Sequence, residues 1–248
     1  MDAEKIQESY EEMTKKDRSA EKRDDGKTKD LSFSNKKTEC IHRSLVYRAV
    51  KRTIDIFLSL LALILLSPLF FITAILIKAE DRGPVLYIQN RAGMYGKTFP
   101  MYKFRSMKVG ADQMHEEMRK QYNCEEVSFK LKEDPRNTKI GRKIRKWNID
   151  ELPQLVNIFK GDMSFVGPRP LPVYEYEEEQ KTYKGVYDAR YEVPQGLTCI
   201  WQISNRAEQD FSERMQMDVD YARSCSLGMD VKLFVLTVGY SITGKAAY

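Results

Sequence analysis

The sequence predicts an α+β fold: a re-entrant membrane helix-hairpin attached to a compact cytosolic domain. That domain combines a small β-hairpin or sheet with several helices, some lying at the membrane interface. Three observations predict this. The run Ile54 to Ile77, IDIFLSLLALILLSPLFFITAILI, is 24 residues long and almost wholly apolar, and Ser67-Pro68 interrupts it. Two β-branched and aromatic runs follow, joined by the turn-rich AGMYGK. Beyond them, polar and amphipathic stretches alternate with proline and glycine punctuation.

The elements follow in chain order. Residues 1–38 hold ten basic and ten acidic side chains and no sustained apolar stripe. Such a segment buries too little surface to offset the entropy of ordering, so residues 1–40 are read as a flexible charged leader. They are not read as a secretory signal, because no apolar core follows at the expected distance. The whole net charge of +5 therefore falls on the rest of the chain. A basic body calls for an anionic partner: phosphate, nucleic acid or a lipid surface.

Residues 41–82 are read as the membrane-associated helix-break-helix. As a straight helix, the 24-residue run from Ile54 to Ile77 measures ~36 Å, enough for a bilayer core of ~30 Å. Pro68 removes one helical hydrogen bond, and Ser67 can bond back to a freed carbonyl. Arg48, Lys51 and Arg52 precede the run, and Lys78 and Arg82 follow it. Basic flanks mark the cytosolic side, so both ends are placed there and the segment is read as re-entrant. A kinked span stays the alternative on composition alone.

Residues 83–248 are read as the catalytic domain. Val85 to Gln89 and TFPMYKFRSM predict two strands, with Tyr102 and Phe104 toward the core and Lys103 and Arg105 sharing the other face. Residues 111–121 are polar and helix-compatible. A basic helix is predicted through IGRKIRKW, another after Pro153, an acidic exposed one over Glu175 to Lys181, and an amphipathic one over Asp210 to Arg223. Val231 to Ile242 is apolar, either buried or resting on the membrane.

Several chemistries are disfavoured. The four cysteines, Cys40, Cys124, Cys199 and Cys225, form no close pair, and only His42 and His115 carry imidazole. Disulfide, zinc and histidine-triad readings are therefore poor. Carboxylates remain. Asp150 and Glu151 stand just before Pro153, near a helix start. An isolated pair there would be read as a helix cap. Here Arg142, Lys143, Arg145 and Lys146 lie upstream, and Gly161, Asp162, Gly167 and Pro168-Arg169-Pro170 downstream. Carboxylates among cations and tight glycine turns suit a metal-phosphate site. Arg169 between two prolines is a pre-placed guanidinium, suited to bidentate phosphate contact or to a surface turn. A nucleic-acid binder would interleave aromatics with a basic stripe, whereas these cations surround carboxylates, so no nucleic acid is expected.

The segments KRTIDIFLSLLALILLSP, GPVLYIQNRAGMYGKTFPMYKFRSM, DPRNTKIGRKIRK, DELPQLVNIFKGDMSFVGPRP and GLTCIWQIS closely resemble the bacterial sugar transferase family, the monotopic polyprenyl-phosphate phosphoglycosyl transferases. The resemblance runs from about Arg48 to the end. It implies transfer of a sugar-1-phosphate from a UDP-sugar to polyprenyl (undecaprenyl) phosphate, releasing UMP, on the cytosolic face of the bacterial inner membrane. Asp150 matches the nucleophile that forms an aspartyl-phosphosugar, and Glu151 the ligand of Mg²⁺. Lys103, Arg105, Arg145 and Arg169 match basic positions near the phosphates, and Ser67-Pro68 the break of the membrane helix. Trp147-Asn148 and Ile149 stand where the family has Thr-Ser and Leu, Cys199 where it has glycine, and Ala246-Ala247-Tyr248 where it has Gly-Ala-Tyr. Membrane lipids are expected partners, and the apolar C-terminal helices offer a surface for homo-oligomerisation. The rival readings are direct transfer in a ternary complex and a non-catalytic scaffold for polysaccharide assembly.

Overall fold

The structure, a computed structural model, describes residues 44–111, 134–203 and 210–243. The expectations for the leader, for nearly all of 111–121 and for Ala246-Ala247-Tyr248 lie outside those residues.

The first two helices are α1, Leu45–Leu65, and α2, Ser67–Asp81. They are bent by 60° at Leu66. The sequence explains the break. Pro68 cannot donate to the carbonyl of Ile64, and the Ser67 hydroxyl donates to it instead at 2.8 Å. Proline then sits in the first turn of α2, where its missing N–H costs nothing. Among the described residues no single helix is long and apolar enough to cross a membrane, while the bent pair together has the length and composition.

α1 also carries a feature that the apolar run conceals. Tyr47, Lys51, Asp55 and Ser59 recur every four residues and are all buried. Lys51 donates to Asp230 at 2.7 Å and to the Val166 carbonyl at 3.0 Å. Tyr47 and Tyr221 also donate to Asp230, at 2.8 and 2.6 Å. Asp55 accepts the Phe165 N–H at 3.1 Å. Ile54, Phe57, Leu61, Ile64 and Leu65 are exposed instead.

Two strands, β1 (Leu86–Ala92) and β2 (Thr98–Phe104), form the expected antiparallel hairpin. Its turn takes Tyr95 and Gly96 through positive φ, 57° and 69°. Burial on β2 bears out the expected facing at Phe104 and corrects it at Tyr102. Phe99 and Met101 enter the main core, and Lys103 continues their face toward the site. Phe104, on the opposite face, packs with Ile77 and Ile144 in a separate cluster, and Tyr102 is only half-buried.

The basic helix α3 spans Lys139–Lys146, with Thr138 capping Gly141 N at 2.8 Å. A one-turn 3₁₀ segment, Ile149–Glu151, leads through Pro153 into α4, Gln154–Lys160. Strand β3 (Ser164–Val166) pairs in parallel with β4 (Gly196–Thr198). Between them lie α5 (Val173–Tyr183) and a 3₁₀ turn at Asp188–Tyr191. α5 is less exposed than expected, since Glu179 is buried. The short α6 (Ile200–Ile203), then α7 (Phe211–Ser224) and α8 (Leu227–Thr243) complete the described chain. Asp210 and Glu213 close a capping box on α7. The described residues thus form a mostly helical fold with two two-stranded sheets.

The main core joins α1, β2, α4, β3, α7 and α8 through Tyr47, Met101, Ile158, Phe165, Tyr221 and Leu233. α1 is therefore part of the core, docked along α4 and β3. Arg52 reinforces this by donating to the Ile158 and Phe159 carbonyls at the end of α4, at 2.6 and 2.7 Å.

Candidate active site

The carboxylate pair sits on the 3₁₀ turn between α3 and α4. Asn148 starts that turn in the left-handed region, φ 53°. Asparagine tolerates this conformation better than most side chains. The pair is therefore presented on a sharp corner just before α4, near the helix start that Pro153 suggested.

Lys103 reaches Glu151 from β2 at 3.1 Å. Arg169 pairs with the same oxygen, Oε1, from the Pro168-Arg169-Pro170 turn. That turn is rigid for visible reasons. Pro168 and Pro170 are fully buried. Arg190 donates to the Arg169 carbonyl at 2.6 Å, and Asp218 holds Arg190 at 2.7 Å with both side chains out of solvent. Gly167 and Gly196 cross closely: a Cβ on Gly167 would stand 2.1 Å from the Pro194 carbonyl oxygen, which admits only glycine.

The two carboxylates differ in their partners. No ion pair or hydrogen bond holds the Asp150 side chain among the described residues, whereas Glu151 has two cations. Burial raises Asp150, the charge of Glu151 raises it further, and its pKa lies at about 6. Burial would raise Glu151 as well, but Arg169 and Lys103 outweigh it and hold that carboxyl well below its ordinary range. Burial lowers Lys103, partly offset by Glu151.

Sequence reasoning selected Arg105 and Arg145 as well. Both line the same cavity. Arg145 donates to Asn137 at 2.9 Å and lies close enough to Asp150 to favour its ionised form. Arg105 is otherwise engaged. Its guanidinium pairs with the Asp81 carboxylate and donates to the Pro84 carbonyl at 2.6 Å, tying the end of α2 to β2. The structure thus brings Lys103, Asp150, Glu151 and Arg169 together, with Arg145 at their edge, and commits Arg105 to the end of α2. Ser67-Pro68 takes no part in this cluster.

The cavity has a volume of about 600 Å³. Eight arginine and lysine side chains line it against four aspartates and glutamates, so its field favours an anion. Several of its residues were missed from sequence, Arg91, Tyr174 and Glu175 among them. Arg91 had a readable signal. Tyr87, Gln89 and Arg91 alternate along β1 and all line the cavity.

Among the described residues no three histidine, cysteine, aspartate or glutamate side chains are grouped to hold a metal. The donor set still fits one kind of ion. Mg²⁺ is commonly held by one or two carboxylates with the remaining positions taken by phosphate oxygens and water. Asp150 and Glu151 supply two adjacent carboxylates in a cavity sized for a phosphorylated ligand.

A mixed helical fold carrying two carboxylates among cations, in an anion-favouring cavity, belongs to the class of phosphoryl-handling sites. The comparison with known proteins makes the class specific. The family model described as bacterial sugar transferase matches residues 46–244, and the chain belongs to that family. It is 44% identical over 169 residues to the galactosyl transferase CpsE of Streptococcus agalactiae, covering 68% of this chain and 37% of that protein. It is 39% identical over 208 residues to the UDP-glucose:undecaprenyl-phosphate glucose-1-phosphate transferase of Escherichia coli, covering 82% and 42%. It is 37% identical over 202 residues to the exopolysaccharide production protein ExoY of Sinorhizobium fredii, covering 80% and 88%. The chain thus spans less than half the length of the first two relatives and most of ExoY.

Proposed function

We propose that this chain is a phosphoglycosyl transferase, moving a sugar-1-phosphate from a UDP-sugar to undecaprenyl phosphate at the cytosolic face of the bacterial inner membrane. One observation carries the reading: of two adjacent carboxylates, Glu151 is held by Lys103 and Arg169, while Asp150 has no such partner and faces the cavity. The names of the Escherichia coli relative and of an undecaprenyl-phosphate galactose phosphotransferase from Salmonella typhimurium, 38% identical over 208 residues, support the substrates.

The reaction proceeds in two displacements. An Asp150 carboxylate oxygen attacks the sugar-bearing phosphorus of the donor. The Asp150–phosphorus bond forms, the bond to the bridging oxygen breaks, and UMP leaves with that electron pair. A phosphate oxygen of the lipid then attacks the same phosphorus, and Asp150 is released as a carboxylate. Lys103 and Arg169 stabilise charge on the phosphoryl oxygens, Arg169 from a turn that needs no rearrangement. Polyprenyl phosphate is largely dianionic near neutrality, with a second pKa taken as about 6, so no strong general base is required. Glu151 would hold Mg²⁺, which neutralises diphosphate charge when bound, leaving Asp150 as the nucleophile.

The bent α1–α2 pair supports a re-entrant membrane hairpin. Its exposed apolar side chains suit lipid, and its polar stripe docks on the catalytic domain. Such a seat lets one site meet both a soluble and a lipid-borne substrate. The test is turnover of polyprenyl phosphate with a panel of UDP-sugars, following UMP. Lipid-dependent UMP release with at least one donor is expected, and its absence with every donor, in folded protein, overturns the reading.

A further inference from the structure

Beside the carboxylate pair, the cavity wall changes character. Arg91 stands at the end of β1, where Ala92 N donates to the Leu171 carbonyl at 2.9 Å and Arg91 bridges to Pro172. This pairing fixes β1 against the stretch that runs from Arg169 into α5. Arg91 donates one Nη1 hydrogen to the Pro170 carbonyl at 3.0 Å. No other hydrogen bond of its guanidinium is present among the described residues. Tyr174 is 48% exposed and donates to Glu175 Oε1 at 3.2 Å. Glu175 lies close to Arg91 and to Arg214, and all four side chains line the cavity. Burial raises the Glu175 pKa, partly countered by Arg91.

Helix-cap duty does not account for this group. Glu175 occupies the first turn of α5, where a carboxylate favours the helix dipole. That role asks neither for an arginine with donors to spare on the neighbouring strand nor for an exposed tyrosine ring beside the carboxylate.

We infer that Arg91, Tyr174 and Glu175 form the subsite that reads the sugar ring of the nucleotide donor, with Glu175 accepting and Arg91 donating hydrogen bonds at ring hydroxyls. The inference rests on the proposed function. Position favours the sugar over the base. Arg91 adjoins Arg169, which contacts Glu151, so this wall lies one group away from the phosphorus Asp150 attacks. The sugar is bonded directly to that phosphate, whereas uracil is separated from it by a second phosphate and a ribose. Chemistry agrees. Neighbouring ring hydroxyls offer two donors to one carboxylate and acceptors to a guanidinium. Uracil offers one N–H between two carbonyl oxygens, which a carboxylate repels. An aromatic ring supplies the flat apolar face that the C–H side of a sugar needs.

Glu175→Gln tests this with little risk to folding, because it keeps the shape while removing the charge and turning one acceptor oxygen into an NH₂ donor. The readouts are kcat/KM for the UDP-sugar that the full-length wild type turns over, Ki for UDP as competitor, and relative rates with UDP-glucose and UDP-galactose. The expected result is a loss of about tenfold or more in kcat/KM, the scale of one lost hydrogen bond to a charged group, with Ki for UDP unchanged and the epimer preference altered. Tyr174→Phe, which keeps the ring, should lose less than Tyr174→Ala. A parallel change in Ki for UDP overturns the sugar assignment, and so does a Glu175→Gln variant with wild-type kcat/KM and preference. Wild-type protein that turns over no UDP-sugar overturns the proposed function instead, and this inference falls with it.

Discussion

At the scale of single residues, Asp150 and Glu151 show how neighbours with the same chemistry come to differ. Lys103 and Arg169 both choose Glu151. Asp150 is left raised by burial and by the charge beside it, to about 6. Two outcomes follow. The first displacement needs the ionised form, so its rate should fall as pH drops through about 6, measured as UMP release in a single turnover. Stability should move the other way. A carboxyl with a raised native pKa holds its proton in the folded state at pH values where the unfolded chain, near 3.9, has lost it. Folding stability therefore declines as pH rises from about 4 to about 6, and stays lowered above that. Asp150→Asn should raise the melting temperature at pH 7.5, and the gain should shrink toward pH 4. Lys103 and Arg105 were equivalent in sequence, two residues apart on one strand. The structure separates them. Lys103→Ala should lower kcat by about 10²–10³, the usual cost of one preorganised donor. Arg105→Ala should act first on melting temperature, because it strands Asp81 at the end of α2. The distinction was invisible in sequence: Asp81 is 24 positions away, and only the fold returns α2 to β2.

At the scale of elements, legibility followed the range of the forces involved. The β1–β2 hairpin and helices α3, α4, α7 and α8 were readable because turn glycines, caps and apolar period act within a few residues. The bend at Ser67-Pro68 was readable for the same reason. The polar stripe of α1 was not. Lys51 and Asp55 looked like charges at the margin of a lipid-facing run, yet their partners lie 179 and 110 residues away. Their burial is repaid only by contacts that no local pattern encodes. A test belongs here. Lys51→Met leaves Asp230 buried beside two tyrosines with no cation and should destabilise by about 3–5 kcal/mol, the usual cost of orphaning a buried charge. Adding Asp230→Leu should recover much of that loss, as read from chemical denaturation. If the double variant is no better than the single one, the pair is not the reason Lys51 is buried. The topology has its own test. Cysteines placed near Lys51 and Arg82 should be labelled from the same side of the membrane. Replacing Ser67 with Leu and Pro68 with Ala should straighten the helix and put the two sites on opposite sides.

At the scale of the whole molecule, α1 and the candidate site are built as one unit. α1 holds β3 through Lys51 on the Val166 carbonyl and Asp55 on the Phe165 N–H. β3 runs directly into Gly167 and the turn that carries Arg169, and α4, packed along α1, follows directly on the Asp150-Glu151 turn. The cluster was legible at Asp150, Glu151 and Arg169, because a dense run of carboxylates, cations, glycines and prolines has few other uses, and at Lys103 only through the family resemblance. Arg91 showed only its alternation with Tyr87 and Gln89 along β1, and Tyr174 and Glu175 showed nothing, since both are ordinary helix residues until β1 is laid beside the Pro170–Pro172 stretch. Removing residues 1–40, which lie outside the family match, should leave turnover within a few-fold of the full chain.

The central claim is that Asp150 itself takes the phosphosugar. Mixing the protein with its UDP-sugar and no lipid tests it most directly, with UMP counted and the peptide bearing Asp150 weighed by mass spectrometry. The account predicts UMP release limited to one per active site, a sugar-phosphate adduct on Asp150, and loss of both in Asp150→Asn. UMP that appears only when lipid phosphate is also present, with no adduct at any time, would contradict it and assign the reaction to direct transfer in a ternary complex.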